Sequence, residues 1–199
     1  TTVRQALPKL SSSDHKIHCV YEGGVVGDDK NSHRFFDDMW KKITDAGVHI
    51  HFYSPSDITY CKRLENISDL IHYEGSISGE KLILEMTKYD CGLAVFNSVD
   101  NNRFHLEGAS PNKLYEYISA GIPVISAGIN SLKEFVERYH VGIELDFSGD
   151  IKKQLQEACK LHIESDFLTR NHMTMKSCAK DLSAFYESVK QRKVISARH

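Results

Sequence analysis

At 199 residues, 41% hydrophobic and 26% charged, the chain has the composition of one globular α/β-sized domain that can bury a core without staples, which excludes a disordered chain. A net charge of −2 gives no electrostatic case for nucleic acid as a partner, and no apolar run approaches the ~18–20 residues of a membrane span. The five cysteines are odd in number and lack C-x-x-C spacing; three sit beside apolar or helical patterns and read as small hydrophobes, and a reduced, cytoplasmic compartment is the economical reading. The chain opens at Thr1 without a signal-peptide pattern or an initiator methionine, which points to a processed product, an expression product or a fragment.

Residues 1–15 lack periodicity and read as a linker or N-terminal tail. Ile17–Tyr21 is the first strand and runs into Glu22-Gly23-Gly24 and a polar loop through Asn31. Phe35, Phe36, Met39, Trp40 and Ile43 recur at helical spacing, and Gly47 ends that helix. Val48–Tyr53 is a second strand, 57–66 a short helix, and Leu70–Tyr73 a third strand ending at Gly75. Leu82, Ile83, Met86 and Tyr89 give an apolar helix face, and Cys91–Phe96 is a continuous apolar run typical of a parallel strand covered on both faces. A polar loop is expected over 97–109, a capping box at Ser131–Glu134, and a sixth strand over Val141–Asp146. Two helices, 150–164 and 167–191, close the chain; the second carries Cys178, Leu182, Phe185 and Val189 on one face. This alternation predicts an α/β, doubly wound parallel sheet of about six strands with helices on both sides. Ligands of such sheets lie beyond the carboxyl ends of the strands, so the loops at 22–31, 74–79, 97–110 and 128–131 should share one edge.

The stretch Glu107–Gly128, EGASPNKLYEYISAGIPVISAG, is the most informative. Ser110-Pro111 has the form of a helix start, with a hydroxyl cap and proline at the first helical position. Gly121 and Pro123 stop the helix, and Val124–Ala127 is a buried strand. Free N–H groups at a helix start attract anions, Lys113 adds a full charge there, and Glu116 can accept hydrogen bonds from vicinal sugar hydroxyls. Tyr115 and Tyr117 read as packing groups and His105 as a surface residue. His49 and His51 alternate with Val48, Ile50 and Phe52 on the polar face of a strand, but the sequence offers no third ligand at a metal-site spacing. Asp28-Asp29 and Asp37-Asp38 are adjacent pairs rather than an Asp-x-Asp motif, so no metal is expected.

The run SPNKLYEYISAGIPVIS resembles the signature of the C-terminal, donor-binding domain of GT-B glycosyltransferases, particularly the large retaining family often called group 1. Tyr21-Glu22-Gly23-Gly24 is similar to that family's glycine-containing first loop, and Tyr73-Glu74-Gly75 with Tyr89-Asp90-Cys91-Gly92-Leu93 to its next segment; the likeness covers about 16–190. The resemblance implies that Lys113 contacts the diphosphate of a nucleotide-sugar donor and that Glu116 holds the ribose. It also implies that Gly108, Ala109 and Ser110 offer backbone amides, and that Gly23 and Gly24 lie across the cleft. Glu107 matches the glutamate that touches the donor sugar, on a spacing one residue longer than the family's. Where relatives carry an arginine and a lysine in the first loop, Lys30 and Arg34 are the candidate substitutes.

A GT-B enzyme has two Rossmann-like domains, and this chain has room for one. The resemblance therefore implies a donor domain over 16–191, flanked by the N-terminal linker or tail and a C-terminal tail at 192–199, without the acceptor-binding N-terminal domain and inactive alone. The implied function is transfer of a hexosyl-type sugar from a nucleoside-diphosphate sugar to a glycan or other acceptor in polysaccharide or glycoconjugate biosynthesis. Peripheral membrane association of the full-length enzyme goes with that reading. The alternatives are a non-catalytic nucleotide-binding or interaction module on the same scaffold and a GT-B-like sugar-nucleotide epimerase.

Overall fold

Strands that are apolar at every position, as Cys91–Val95 is, must be covered on both faces, and that demand shapes the molecule. A computed structural model describes residues 6–77 and 79–196, with side chains through 190. The strands are β1 His18–Glu22, β2 His49–Tyr53, β3 Ile71–Tyr73, β4 Cys91–Val95, β5 Val124–Ala127 and β6 Gly142–Glu144. The helices are α1 Ser11–Asp14, α2 Asp37–Asp45, α3 Ile58–Glu65, α4 Glu80–Met86, α5 Asp100–Glu107, α6 Asn112–Ser119, α7 Asn130–Tyr139, α8 Ile151–Ala158, α9 Phe167–Arg170 and α10 Met175–Ser196. The chain divides into two compact units, Thr1–Ile163 and Glu164–His199.

In the first unit all six strands run parallel in the order β3-β2-β1-β4-β5-β6, the Rossmann-like, doubly wound arrangement that the alternation of elements predicts. One face packs Cys19, Tyr21, Ile50, Phe52 and Leu93 against Phe36, Trp40 and Ile43 of the α2 region, Cys61 and Leu64 of α3, and Leu155 of α8. Trp40 stacks on Phe36 with ring centres 5.1 Å apart and meets Tyr21 edge-on at 5.3 Å. Helices α4, α6 and α7 attach on other contacts, α6 to β4 and β5 and α7 to β5 and β6. All five cysteines are free thiols, and three of them are buried as small hydrophobes. Among the described residues no helix is long and apolar enough to cross a membrane.

Several local expectations change. The polar loop over 97–109 contains α5, whose single buried residue is Leu106, so it shows no apolar period to read. Its start is held instead by Asn102, whose side chain accepts from the Val99 amide at 3.0 Å and donates to the Asn31 and Asn97 carbonyls. Ser110 does not cap α6: Pro111, at ψ 141°, is the last extended residue before the helix, and the Ser110 hydroxyl bonds that of Tyr115 at 3.0 Å. Helix α7 starts one residue before the expected capping box, and Ser131 donates to the Ala109 carbonyl at 3.5 Å. Residues 7–11 of the expected linker are tied to the turn before β4, through the Leu7 amide on Thr87 Oγ1, the Leu10 amide on the Lys88 carbonyl and the Ser11 hydroxyl on Asp90.

In the second unit the expected helix over 167–191 is broken into α9 and α10. Thr174 and Ser177 bond each other's amides at 3.1 and 3.2 Å to start α10. Cys178, Leu182 and Phe185 are exposed along it. Of the expected C-terminal tail, the backbone of α10 extends to Ser196, and 197–199 lie outside the described residues.

One contact joins fold to site. The Tyr117 ring lies flat over Gly92, where an added Cβ would come within 2.2 Å of it. From there its hydroxyl donates to the Leu93 carbonyl at 3.2 Å and accepts from the Glu22 amide at 3.1 Å, linking α6 to the ends of β1 and β4. Gly92→Ala is expected to destabilise by about 1–3 kcal/mol through overpacking, read from urea unfolding. An unchanged midpoint would mean that Tyr117 is not pinned there.

Candidate functional site

The strand order reverses between β1 and β4, and a crevice opens there beyond the carboxyl ends of the strands. A cavity of about 410 Å3 occupies it, lined by Glu22, Gly23 and Gly24 from the end of β1, Arg34, Phe96 after β4, and Ser110 to Lys113 with Glu116 at the start of α6. The expected pairing of the glycine loop with the α6 start is therefore present in one cavity.

Lys113, on the first turn of α6, is buried at 7% exposure. Its Nζ lies 3.7 Å from the centre of the Tyr21 ring and 5.3 Å from that of Phe96, with no carboxylate at ion-pair distance among the described residues. Burial pushes the ammonium down to about 7; Arg34 adds to the fall, while Glu22 and Glu116 oppose it. Glu116, one turn on, moves the other way. Its burial, and then the hydrogen bond and charge of Glu22, raise its carboxyl to about 7. The site thus holds a cation short of counter-charge beside a carboxyl raised by its burial and by Glu22, and Lys113 and Glu116 both titrate near neutrality.

Gly23 turns the chain at φ 126°, a conformation that a side chain disfavours, and an added Cβ would sit 3.4 Å from Lys113 Nζ. Arg34 lies over Gly24, where an added Cβ would come within 2.6 Å of Nη1. Of the two candidate substitutes in this loop, Arg34 lines the cavity, whereas Lys30 lines a different one with Phe35, Met39 and Phe147. Ser110 lines the main cavity. The amides of Gly108 and Ala109 both close α5 on the Leu106 carbonyl. Glu107 accepts from Asn130 Nδ2 at 3.1 Å and lines a neighbouring cavity with Arg103 and Glu144, apart from Lys113.

Glu22 is the residue that sequence reasoning missed. Its signal was present: it ends β1 directly before the glycine pair, on the same strand face as Val20 and His18. The adjacent aspartates have structural partners. Asp37 takes both guanidinium nitrogens of Arg63, and Asp28 accepts from Tyr60 at 2.8 Å. His105 is exposed.

A family model described as glucosyltransferase 3-like, C-terminal domain, matches residues 31–165. No curated protein sequence matches the chain. Among solved structures it resembles a sucrose-phosphate synthase from Thermosynechococcus elongatus, with a TM-score of 0.61 and 12% identity over 96% of this chain and 51% of that one. An α,α-trehalose-phosphate synthase (UDP-forming) from Burkholderia vietnamiensis gives 0.58 and 10% over 90% and 45%. AviGT4, a glycosyltransferase involved in avilamycin A biosynthesis, gives 0.52 and 16% over 83% and 50%. At these identities the likeness is one of fold, and the chain spans about half the length of each of these structures.

The two shifted groups make stability depend on pH in opposite ways. Lys113 is lowered from its ordinary 10.5, so between about 7 and 10.5 the unfolded chain binds more protons and stability rises with pH. Glu116 is raised from its ordinary 4.5, so between about 4.5 and 7 the folded chain binds more protons and stability falls with pH. Lys113→Met is expected to raise Tm at pH 7 by roughly 2–8 °C, a gain that fades toward pH 10, while Glu116→Gln flattens the fall between pH 5 and 7. Thermal unfolding followed across pH 5–10 checks both; profiles parallel to wild type would contradict the assignment.

Proposed function

The chain belongs to the glucosyltransferase 3-like C-terminal domain family, and from that premise we propose that it is the nucleotide-sugar-binding half of a glycosyltransferase. The observation that carries this reading is Lys113: a buried ammonium, short of counter-charge, facing a cavity at the switch point of a parallel sheet. A diphosphate would supply the missing negative charge. Arg34 adds a second cation on the same cavity, and the first amides of α6, which no side chain caps, point an uncompensated helix start toward it. Glu116 would accept from the ribose hydroxyls, with Glu22 beside it on the same cavity.

In transfer, the bond from the sugar's anomeric carbon to the diphosphate oxygen breaks and charge grows on the leaving diphosphate. Lys113 and Arg34 would stabilise that charge. On this proposal side chains provide the positive charge and no metal is needed for the donor. The acceptor site, and the other part of the catalytic machinery, would come from a second domain. The position of Glu107 with Asn130 in a neighbouring cavity supports the other reading, a module that binds a nucleotide without transferring the sugar. The sugar, the acceptor, a role in polysaccharide biosynthesis and a cytoplasmic setting are part of the proposal.

Calorimetric titration of UDP, GDP and ADP, and of their sugar conjugates, tests the site. One nucleoside diphosphate is expected to bind, with affinity reduced at least ~10-fold by Lys113→Ala and by Glu116→Ala. Proton exchange adds a signature: below pH 7 binding should release a proton as Glu116 ionises, and above pH 7 it should take one up as Lys113 charges. Binding indifferent to both substitutions would remove the assigned site. Binding without sugar transfer, even when an acceptor domain is supplied, would favour the non-catalytic module.

A further inference from the structure

Among the described residues, a group of metal-ligating side chains lies outside the cleft, where β1 and β2 begin. Strand alternation puts His49 and His51 on one face of β2. The parallel register then sets His18 of β1 opposite His49, and His72 of β3 opposite His51. One ring nitrogen from each of His18, His49 and His51 falls within 4.8 Å of the others. The third ligand that the sequence did not offer thus comes from a strand thirty-odd positions away.

The outer nitrogens of the three rings are already held. His18 Nε2 meets Asp14 at 3.1 Å, His51 Nδ1 meets Glu74 at 2.7 Å, and His49 Nδ1 meets His72 Nε2 at 2.9 Å. An ionised carboxylate only accepts, so Asp14 and Glu74 place the ring protons on His18 Nε2 and His51 Nδ1. The inner nitrogens, His18 Nδ1 and His51 Nε2, then face each other at 2.9 Å. Two lone pairs at that separation repel unless a cation lies between them. A proton can serve, at the cost of an imidazolium among buried rings; His18 and His51 are only 6% and 7% exposed. A metal ion serves better, because a third donor is waiting: His49 Nε2 is buried and has no hydrogen-bond partner.

We propose that His18, His49 and His51 bind a zinc-type divalent cation, with Asp14, Glu74 and His72 as the outer partners that aim the rings. Imidazole suits zinc, and a carboxylate on the far nitrogen of a ligating histidine is the usual second layer of such sites. Tetrahedral bonds of about 2.0–2.1 Å separate ligand nitrogens by about 3.3 Å, between the 2.9 Å and 4.8 Å found here, so modest ring rotations complete the geometry. Water completes the fourth position. The site lies at the amino ends of the strands, opposite the Gly23-Gly24 edge, so the ion clamps β1, β2 and, through Asp14, α1. It does not take part in donor chemistry.

The test uses Zn2+ itself against a chromophoric chelator. Wild-type protein is expected to take up one equivalent with a Kd of micromolar order or tighter, and saturation should raise Tm by about 5–10 °C. His49→Gln, which removes the unpartnered nitrogen and leaves both carboxylate–histidine bonds in place, should weaken uptake at least ~100-fold; Glu74→Gln should weaken it roughly 10–100-fold. X-ray absorption on the zinc-loaded wild type needs no variant and should show three imidazole nitrogens at about 2.0–2.1 Å. No tight equivalent, a spectrum without imidazole, or affinity unchanged in His49→Gln, the result expected if zinc sits on other histidines, would overturn the proposal.

Discussion

The ammonium of Lys113 rests 3.7 Å from the centre of the Tyr21 ring, and the neighbouring elements are arranged around keeping it there. Tyr21 is itself immobilised, edge-on to Phe36 and Trp40 in the core and with its hydroxyl on the Gly24 carbonyl at 2.9 Å. The cation is therefore positioned by aromatic packing, and ion pairing leaves it largely uncompensated. That arrangement weakens the fold at neutral pH, and it leaves positive charge available to an incoming anion.

The same crevice depends on a small residue elsewhere. Gly92, in the middle of β4, leaves the sheet surface bare so that Tyr117 can lie across it and reach the Glu22 amide and the Leu93 carbonyl. Helix α6 is thereby anchored against β1 and β4, and the positions of Lys113 and Glu116 follow from that anchor. Glu22, at the end of β1, lines the same cavity as Glu116 and adds to the upward shift of its carboxyl. The two ends of the sheet have distinct chemistry: a lysine, an arginine and two glutamates at the carboxyl end, and a cluster of histidines at the amino end.

Much of the sheet was legible because parallel strands buried on both faces leave continuous apolar runs, and because glycines mark their ends. Cys91–Val95 is such a run, Val124–Ala127 is one but for the buried Ser126, and both appear as strands. Helix α5 was not legible: its order comes from Asn102 bonding the backbone, which leaves no apolar period. The cap of α6 lies one residue after the expected Ser110 and that of α7 two before the expected Ser131, because these serines bond the Tyr115 hydroxyl and the Ala109 carbonyl in place of the local amides.

Of the site, the sequence by itself determined the local chemistry: a lysine and a glutamate one turn apart at a helix start, and a glycine pair after the first strand. Those features arise from neighbours along the chain, where spacing carries the information. Tertiary structure alone decided which distant residues join them. It brought Glu22 and Arg34 to Lys113, turned Glu107 toward Asn130, engaged the Gly108 and Ala109 amides in closing α5, and set His18 beside His49 and His51. The physical reason is that strand order and register create neighbours across a sheet that no interval in the sequence records.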